Sequence, residues 1–268
     1  MLQLSDFFID QNNITFSEYF SSFKKIEVEL SRSNLTYQRK IKIAFLSSFT
    51  INGIKEILYV KCCGFNAHTE FYIGEYNQYA QEILDPKSGL YNFGPDIVLI
   101  FVDIRAIAGE LYFLPYQTTA DDRHFWTTEK ANELSDLALK ITKESSAKVI
   151  LHNLETPEYS PLGKIDNKQT IGFIEAVENL NSSLRDKFKN NKQIFLFDYN
   201  AFCSKIGKQN VIDYKMYYLG DFRIRQQYLP SLCHEYAGYI RAFTAQTKKC
   251  VSKVYVSHVH SSIARSFR

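Results

Sequence analysis

One uninterrupted apolar run constrains the fold of this chain more than any other feature. The run is Ile97-Val98-Leu99-Ile100-Phe101-Val102, and Asp103 follows it directly. A strand that is apolar on both faces is typical of a parallel sheet that helices cover on both sides. The run therefore predicts a central strand of an α/β fold, with Asp103 at the strand's carboxyl end.

Four further segments predict strands that alternate with helices. The strands are expected at 41–47, 69–74, 147–153 and 193–198, and amphipathic helices at 54–60, 128–144, 171–188 and 230–245. Strands that alternate with helices in this way are typical of βαβ units. The sequence therefore predicts a doubly wound parallel sheet of five strands.

The remaining segments predict how the chain is divided. The spacing of Phe20, Phe23, Ile26 and Leu30 predicts an amphipathic helix in an amino-terminal extension, residues 1–39, ahead of an α/β domain at 40–247. Residues 75–91 predict a short helix closed by a turn, and 105–123 a loop that acts as a flap. Residues 208–221 show no regular pattern, and a tail, 248–268, is expected to contribute one short strand.

Composition excludes several classes of protein. The net charge of +3 arises from 32 basic and 29 acidic residues, a balance too even to indicate nucleic-acid binding. No apolar run approaches 18 residues, so no membrane span is expected. The amino terminus lacks the features of an export signal, and the five cysteines have no metal-binding spacing. We expect a cytoplasmic protein with reduced thiols.

A cluster of hydroxyl groups ends the first predicted strand. Lys42 to Thr50 reads Lys-Ile-Ala-Phe-Leu-Ser-Ser-Phe-Thr, which places Ser47, Ser48 and Thr50 at a strand-to-helix turn. In open α/β sheets such turns hold ligand-binding or reactive groups. Hydroxyl groups at these positions are also common N-caps of the following helix, so both interpretations stay open.

Other polar side chains are expected at the same edge of the sheet. Asp103, Asn153 and Asp198 close three strands, and Asp213 lies in a later segment. Asn77 lies in an amide-rich segment that is either a loop facing a ligand or a capped turn covering the sheet edge. Asp103 is likewise either a ligand-facing group or a helix cap.

Hydrolysis through a serine needs a base that accepts the hydroxyl proton. Only His152 among the six histidines is expected at this edge, and its side chain should point away from that of Asn153, the next residue in the strand. His234 lies in a predicted helix.

The sequence contains no Gly-x-Ser-x-Gly, Gly-x-Gly-x-x-Gly, phosphate-loop or zinc motif. We therefore expect no metal site and no cofactor in this chain.

Several segments together resemble the amino-terminal half of FkbH-like proteins. They are Lys42–Thr50, Tyr76-Asn-Gln-Tyr79, Glu82-Ile-Leu-Asp85-Pro, Ser88-Gly-Leu-Tyr91, Pro95-Asp96-Ile-Val-Leu, Asn153 ahead of Pro157, Leu180-Asn181, Asp213 and Lys248-Lys249-Cys250. They follow the family's order over roughly residues 40–250. The resemblance implies a flavodoxin-like, SGNH-hydrolase-like sheet in three layers, followed in full-length relatives by a haloacid-dehalogenase (HAD) type domain.

In that family the second domain removes phosphate from a phosphorylated three-carbon acid with magnesium and passes a glyceryl group to an acyl carrier protein. After Cys250 this chain lacks the family's Asp-x-Asp-x-Thr, so magnesium is expected only in the missing HAD-type domain. The SGNH pattern is also incomplete. Asn153 matches its Asn, but no Gly-Asp-Ser precedes Phe49, and Met216 stands three residues after Asp213 where the pattern has His.

The resemblance leads to a first hypothesis for function. It is a binding or scaffolding module for glyceryl or acyl transfer to an acyl carrier protein in polyketide or surface-polysaccharide biosynthesis, with that carrier or a separate HAD-type domain as partner. The alternative is an SGNH-type esterase or acyltransferase with Ser48 as nucleophile, helped by Asn153 and Asp213. In both, Ser47, Thr50, Asn77 and Asp103 are candidate substrate-binding residues. A third interpretation is a non-functional remnant.

Overall fold

The strands form two parallel sheets. The structure, a computed structural model, describes residues 2–7, 14–32 and 35–244. β1 (Leu2–Gln3) pairs with β2 (Leu35–Thr36). The central sheet contains β3 (Arg39–Ser47), β4 (Ala67–Ile73), β5 (Ile97–Phe101), β6 (Lys148–His152) and β7 (Ile194–Phe197), in the order β4-β3-β5-β6-β7. All five predicted strands are confirmed, with boundaries within two residues of those expected.

Helices connect and cover the strands. They are α1 (Phe16–Ser31), α2 (Ile54–Cys63), α3 (Tyr79–Leu84), α4 (Gly89–Phe93), α5 (Ile104–Ala108), α6 (Glu110–Phe113), α7 (Ala120–Glu144), α8 (Phe173–Phe188), α9 (Tyr199–Ile206), α10 (Lys208–Val211), α11 (Tyr214–Gly220) and α12 (Leu229–Thr244). Short 3₁₀ turns occupy Leu4–Phe7, Pro115–Gln117, Gly163–Lys168 and Gln226–Tyr228. The predicted helices in α1, α2, α8 and α12 are confirmed.

The core lies on both faces of the central sheet. Alternate residues of β3 point to opposite sides, so Ile43 and Phe45 join a cluster with side chains of α1, α2 and α12, whereas Ala44 and Leu46 join a cluster with side chains of α7 and α8. All five residues of β5 are buried because helices cover both of its faces. The predicted three-layer, doubly wound α/β fold is confirmed.

The expectation of a flap at residues 105–123 is wrong. This segment contains α5, α6 and a 3₁₀ turn, and α7 begins at Ala120 instead of Thr128. The earlier start has a local cause. Thr119 accepts a hydrogen bond from the Asp122 amide, and the Asp122 carboxylate accepts one from the Thr119 amide, which together form a capping box.

Two other segments also contain more helix than the sequence predicts. Residues 75–91 form two short helices, α3 and α4, instead of one, because Asp85 and Pro86 end α3. Residues 208–221 are largely helical, in α10 and α11. The strand expected in the tail, as well as Cys250, lies outside the described residues, and the division of the chain at 39 and 247 stays a prediction.

The described part of the chain shows neither a membrane span nor paired thiols. Its helices lack the combination of length and apolar character that a bilayer requires. Cys62, Cys63, Cys203 and Cys233 are buried and free. For these four residues, the prediction of unpaired thiols is confirmed.

Asn181 of α8 fixes the chain that leaves β6. Its side-chain oxygen accepts a hydrogen bond of 2.8 Å from the Leu154 amide, and its nitrogen donates one of 2.7 Å to the Leu154 carbonyl. Both residues are buried. Since buried backbone groups need partners, this one side chain holds the loop that carries Glu155 in place.

We predict that Asn181→Ala lowers the free energy of unfolding by about 2–4 kcal/mol, because two buried backbone groups lose their partner. Chemical denaturation measures the change. Asn179→Ala, on the exposed face of the same helix, is the matched control and should change the free energy by less than about 0.5 kcal/mol. Equal effects of the two substitutions would show that Asn181 has no special role.

Candidate functional site

The candidate site lies at the carboxyl edge of the central sheet. β3 has β4 on one side and β5 on the other, so the connections from β3 and β5 leave on opposite faces of the sheet. In open α/β sheets ligands bind in the crevice at such a switch point. The carboxyl ends of β3 and β5 lie side by side there, since Ser47 pairs in register with Phe101.

The hydroxyl groups after β3 do not cap the next helix. Ser47 donates a hydrogen bond of 2.6 Å to the Phe49 carbonyl, and Ser48 Oγ accepts one of 2.9 Å from the Asp103 amide. The N-cap of α2 is instead Gly53, at φ 89°, a conformation that glycine adopts without strain. The capping interpretation of Ser47, Ser48 and Thr50 is therefore wrong.

Asp103 is the centre of the polar network at this edge. Its carboxylate, only 4% exposed, accepts hydrogen bonds from the Arg105 amide at 2.8 Å and from the Arg105 guanidinium at 3.0 Å. The guanidinium of Arg223 adds a third at 3.1 Å. Asp103 also caps α5. The helix-cap interpretation is confirmed, and the carboxylate is fully engaged by cations of this chain.

A second acid extends this network to the turn after β3. The Arg223 guanidinium contacts the Asp221 carboxylate at 2.6 Å, and the Tyr76 hydroxyl donates to the same carboxylate at 2.8 Å. The Thr50 amide donates to the Asp221 carbonyl, and Thr50 pairs with Phe222 in a parallel bridge. Residues that follow α11 thus lie against the end of β3.

Asn153 takes part in a separate network at the end of β6. Its side-chain nitrogen donates to the Asp198 carboxylate at 2.8 Å, and its oxygen accepts from the Asn200 amide at 3.0 Å. Asp198 also caps α9 through the Ala201 amide. Both ends of the Asn153 amide therefore join β6 to β7 and α9.

The histidines that the structure describes do not provide a base at this edge, and His258 and His260 lie outside the described residues. His152 is buried in the core, where its Nε2 lies 2.9 Å from the Tyr236 hydroxyl and its ring 3.9 Å from that of Phe101. Burial lowers the pKa of His152 to about 3. His234 lies on α12 and lines a cavity beside Lys61. Within the described residues, no histidine hydrogen-bonds to Ser48.

The two remaining candidates lie at separate places. Asp213 caps α11 by accepting from the amides of Lys215 and Met216, and it lines a cavity of about 690 Å³ beside Arg225. Asn77 occupies an exposed turn at φ 55°. Ser48 contacts Asp103, whereas Asn153 and Asp213 belong to other groups of contacts. The catalytic assignment of Ser48, Asn153 and Asp213 stays a prediction.

A cavity of about 230 Å³ lies beside the Asp103 network. Two cations, Arg105 and Lys208, and two acids, the buried Glu155 and the exposed Glu158, contribute to its lining. Glu155 is 5% exposed, and burial raises the pKa of its carboxyl group to about 7, although Arg105 opposes this shift. A buried carboxyl group that titrates near neutral pH is a common feature of functional sites.

Sequence analysis identified Asp103 but missed the residues around this cavity. Glu155 lies two residues after Asn153, in the loop that follows β6. A position in a loop at a strand end is a signal from which Glu155 could have been predicted as a site residue. Lys208 and Arg223 lie on segments without regular pattern, more than 50 residues from the strands that they contact, and no local signal marks them. Among the described residues, no three His, Cys, Asp or Glu side chains form a group that could hold a metal.

The chain matches the family described as FkbH, N-terminal domain, over residues 42–238. It belongs to that family. The match begins at Lys42 within β3 and includes the rest of the central sheet and the Asp103 network. No curated protein matches the chain.

Solved structures similar to this FkbH N-terminal domain show its fold. One is the N-terminal part of the protein BF1531 from Bacteroides fragilis, containing a phosphatase domain complexed with Mg, with a TM-score of 0.74 and 21% identity. The similarity covers 88% of this chain and 59% of that one, so this chain spans less than two thirds of its length.

Two lipases are also similar. One, from a goat rumen metagenome, has a TM-score of 0.50 and 15% identity over 76% of this chain and 98% of its own. The other, a putative GDSL-like lipase from Parabacteroides merdae, has a TM-score of 0.47 and 11% identity over 76% and 98%. The first of these lipases, with its TM-score of 0.50, supports the predicted SGNH-hydrolase-like fold, which is confirmed; at this identity the likeness concerns the fold alone.

The raised pKa of Glu155 predicts how stability depends on pH. Its ordinary value is 4.5 and its folded value about 7, so the folded protein holds this proton more tightly than the unfolded chain. The resulting stabilisation is complete below pH 4.5 and is lost as the pH rises to about 7. Glu155→Gln removes it. We compare the two proteins by subtracting the free energy of unfolding of the unmodified protein from that of the variant. This difference should rise by about 3 kcal/mol between pH 4.5 and pH 7.5.

Denaturation at several pH values measures this difference. Glu129→Gln changes an exposed acid on α7, away from Glu155, and should give a difference that stays nearly constant. A constant difference for Glu155→Gln as well would contradict the raised pKa.

Proposed function

We propose that this chain is a binding module for the transfer of a glyceryl or acyl group from a phosphorylated three-carbon acid to an acyl carrier protein. A separate HAD-type domain would remove the phosphate. Membership of the FkbH N-terminal domain family supports this proposal, as does the likeness to a protein described as containing a phosphatase domain. We further propose that the protein acts in the cytoplasm, in polyketide or surface-polysaccharide biosynthesis.

The state of Ser48 is the observation that favours binding over hydrolysis. Its side-chain oxygen accepts a hydrogen bond from the Asp103 amide, and the residue is 2% exposed. A serine nucleophile needs a nearby base, because a free hydroxyl group is a poor nucleophile near neutral pH. The imidazole on the neighbouring part of the sheet, His152, is bonded to Tyr236 instead. Within the described residues, the serine-esterase alternative therefore has neither an exposed Ser48 hydroxyl group nor a histidine beside it.

The surface of α11 favours a protein partner at this edge. The helix reads Tyr-Lys-Met-Tyr-Tyr-Leu-Gly, and none of its residues is buried. Tyr218 and Leu219 are 81% and 71% exposed. The helix is joined to the site, because Asp221 directly follows it and contacts Arg223 and Tyr76. Exposed aromatic and aliphatic side chains beside a binding crevice are typical of protein-docking surfaces.

We predict that the purified chain binds a bacterial acyl carrier protein in its holo form, and that the double variant Tyr218→Ala/Leu219→Ala binds at least about tenfold more weakly, since it loses two exposed anchors. Fluorescence anisotropy of a labelled carrier protein measures the affinity. Val28→Ala/Leu84→Ala removes two exposed apolar side chains from α1 and α3 and is the matched control.

The control variant should bind the carrier protein as the unmodified chain does. Failure of the unmodified chain to bind holo carrier protein would overturn the proposed partner. Equal loss in both double variants would show that α11 is not the docking surface.

A further inference from the structure

The cavity of about 230 Å³ beside Asp103 contains cationic donors that the fold does not use fully. The Arg105 guanidinium donates from one nitrogen to Asp103, and its plane lies 5.2 Å from the centre of the Tyr112 ring. Lys208 Nζ donates to the carbonyl and the hydroxyl of Thr156. Because a guanidinium carries five N–H donors and an ammonium three, each group retains at least one donor for a ligand in the cavity that both residues line.

The buried acid in the same cavity lacks a partner from the protein. Glu155 is nine-tenths or more buried, yet within the described part of the chain no group hydrogen-bonds to its carboxyl group, and no cation lies within 4.0 Å of it. Its carboxyl oxygens are not among the unpartnered side-chain atoms that are fully shielded from solvent, so they reach open space. Since Glu155 lines the cavity, a ligand held there is the natural partner of this carboxyl group.

The size of the cavity limits that ligand. An engineered cavity of about 150 Å³ holds benzene, so a volume of about 230 Å³ accommodates roughly nine non-hydrogen atoms by the same scaling. The side chains of Tyr159 and Tyr214 line the cavity and are exposed, so it is open to solvent. When Glu155 is protonated, the two cations of the lining outnumber its one remaining acid, the exposed Glu158, and this favours an anion. A single carboxylate or phosphate group with a short carbon chain fits these constraints.

We propose that this cavity binds a small organic anion, a carboxylate or a phosphate monoester, between Arg105 and Lys208, with Glu155 sharing its proton with an oxygen of the anion. Binding of the anion requires neither a carrier protein nor hydrolysis. An experiment can therefore refute this site without refuting the proposed function, and the reverse also holds. Binding in this mode is accompanied by protonation of Glu155, because an ionised carboxylate would repel the anion.

The pH dependence follows from the groups around Glu155. The charged groups that act on it are Asp103, Arg105, Glu158 and Lys208. The uncharged titratable groups are the phenols of Tyr112, Tyr159, Tyr199 and Tyr214 and the thiol of Cys203. Burial raises the pKa of Tyr112, Tyr199 and Cys203 further above neutrality. Glu155, with a pKa of about 7, changes charge between pH 6 and 8.

Isothermal titration calorimetry of the full chain with lactate tests the proposal, because a simple carboxylate keeps its charge between pH 6 and 8. Only the form with protonated Glu155 binds, so the affinity for lactate should fall about tenfold from pH 6 to pH 8. Glu155→Gln keeps an N–H donor in place of the proton, and its affinity should change less than about twofold over that range.

A second pair of variants tests the cation. Lys208→Gln should weaken lactate binding at least about tenfold at pH 6, whereas Lys192→Gln, an exposed lysine next to β7, should not. Glycerol 2-phosphate, compared at one fixed pH because its phosphate titrates near 6, shows whether the site prefers phosphate or carboxylate. Thermal unfolding confirms that each variant folds. If Lys208→Gln does not fold, the pH profiles of the unmodified chain and of Glu155→Gln still decide.

Three results would overturn the proposal. The first is that neither anion binds at pH 6. The second is that the affinity for lactate is the same at both pH values in the unmodified chain. The third is that Lys208→Gln and Lys192→Gln, both folded, bind lactate equally.

Discussion

The site depends on one buried carboxylate, that of Asp103, held between two guanidinium groups. Burying a charge is costly unless opposite charges and hydrogen bonds compensate for it. Here Arg105 contacts Asp103 at 3.0 Å and Arg223 contacts it at 3.1 Å. The Asp103 amide in turn donates to Ser48. One residue thereby joins the end of β5, the turn after β3 and the segment after α11, which are far apart in sequence.

The fold resembles that of a lipase with a TM-score of 0.50, but fold alone does not define function. In this chain the serine at the end of β3 is a hydrogen-bond acceptor within the structure, and the imidazole of His152 lies in the core beside Tyr236. The charged and titratable acid and base side chains that line the cavity beside Asp103 are two cations, Arg105 and Lys208, the buried acid Glu155 and the exposed acid Glu158, and this set suits binding of an anion better than acyl transfer through serine.

Local sequence patterns predicted the sheet well, because apolar strands such as Ile97–Phe101 carry their signal within a few residues. They also placed Asp103 at the edge. They failed at the flap expected from 105 to 123, where the capping box of Thr119 and Asp122 extends α7 toward the amino terminus. They failed for Arg223 and Lys208 as well, because contacts with Asp103 and Thr156 across 120 and 52 residues leave no local pattern.

The central claim is that Ser48 is a structural group and not a nucleophile. The most direct measurement is the intact mass of the purified chain after incubation with a fluorophosphonate, a reagent that phosphorylates activated serines. We expect no increase in mass at neutral pH, because the Ser48 hydroxyl group is buried and no histidine of the described residues lies beside it. A stoichiometric increase that peptide mapping assigns to Ser48, and that Ser48→Ala abolishes while Ser47→Ala does not, would contradict it.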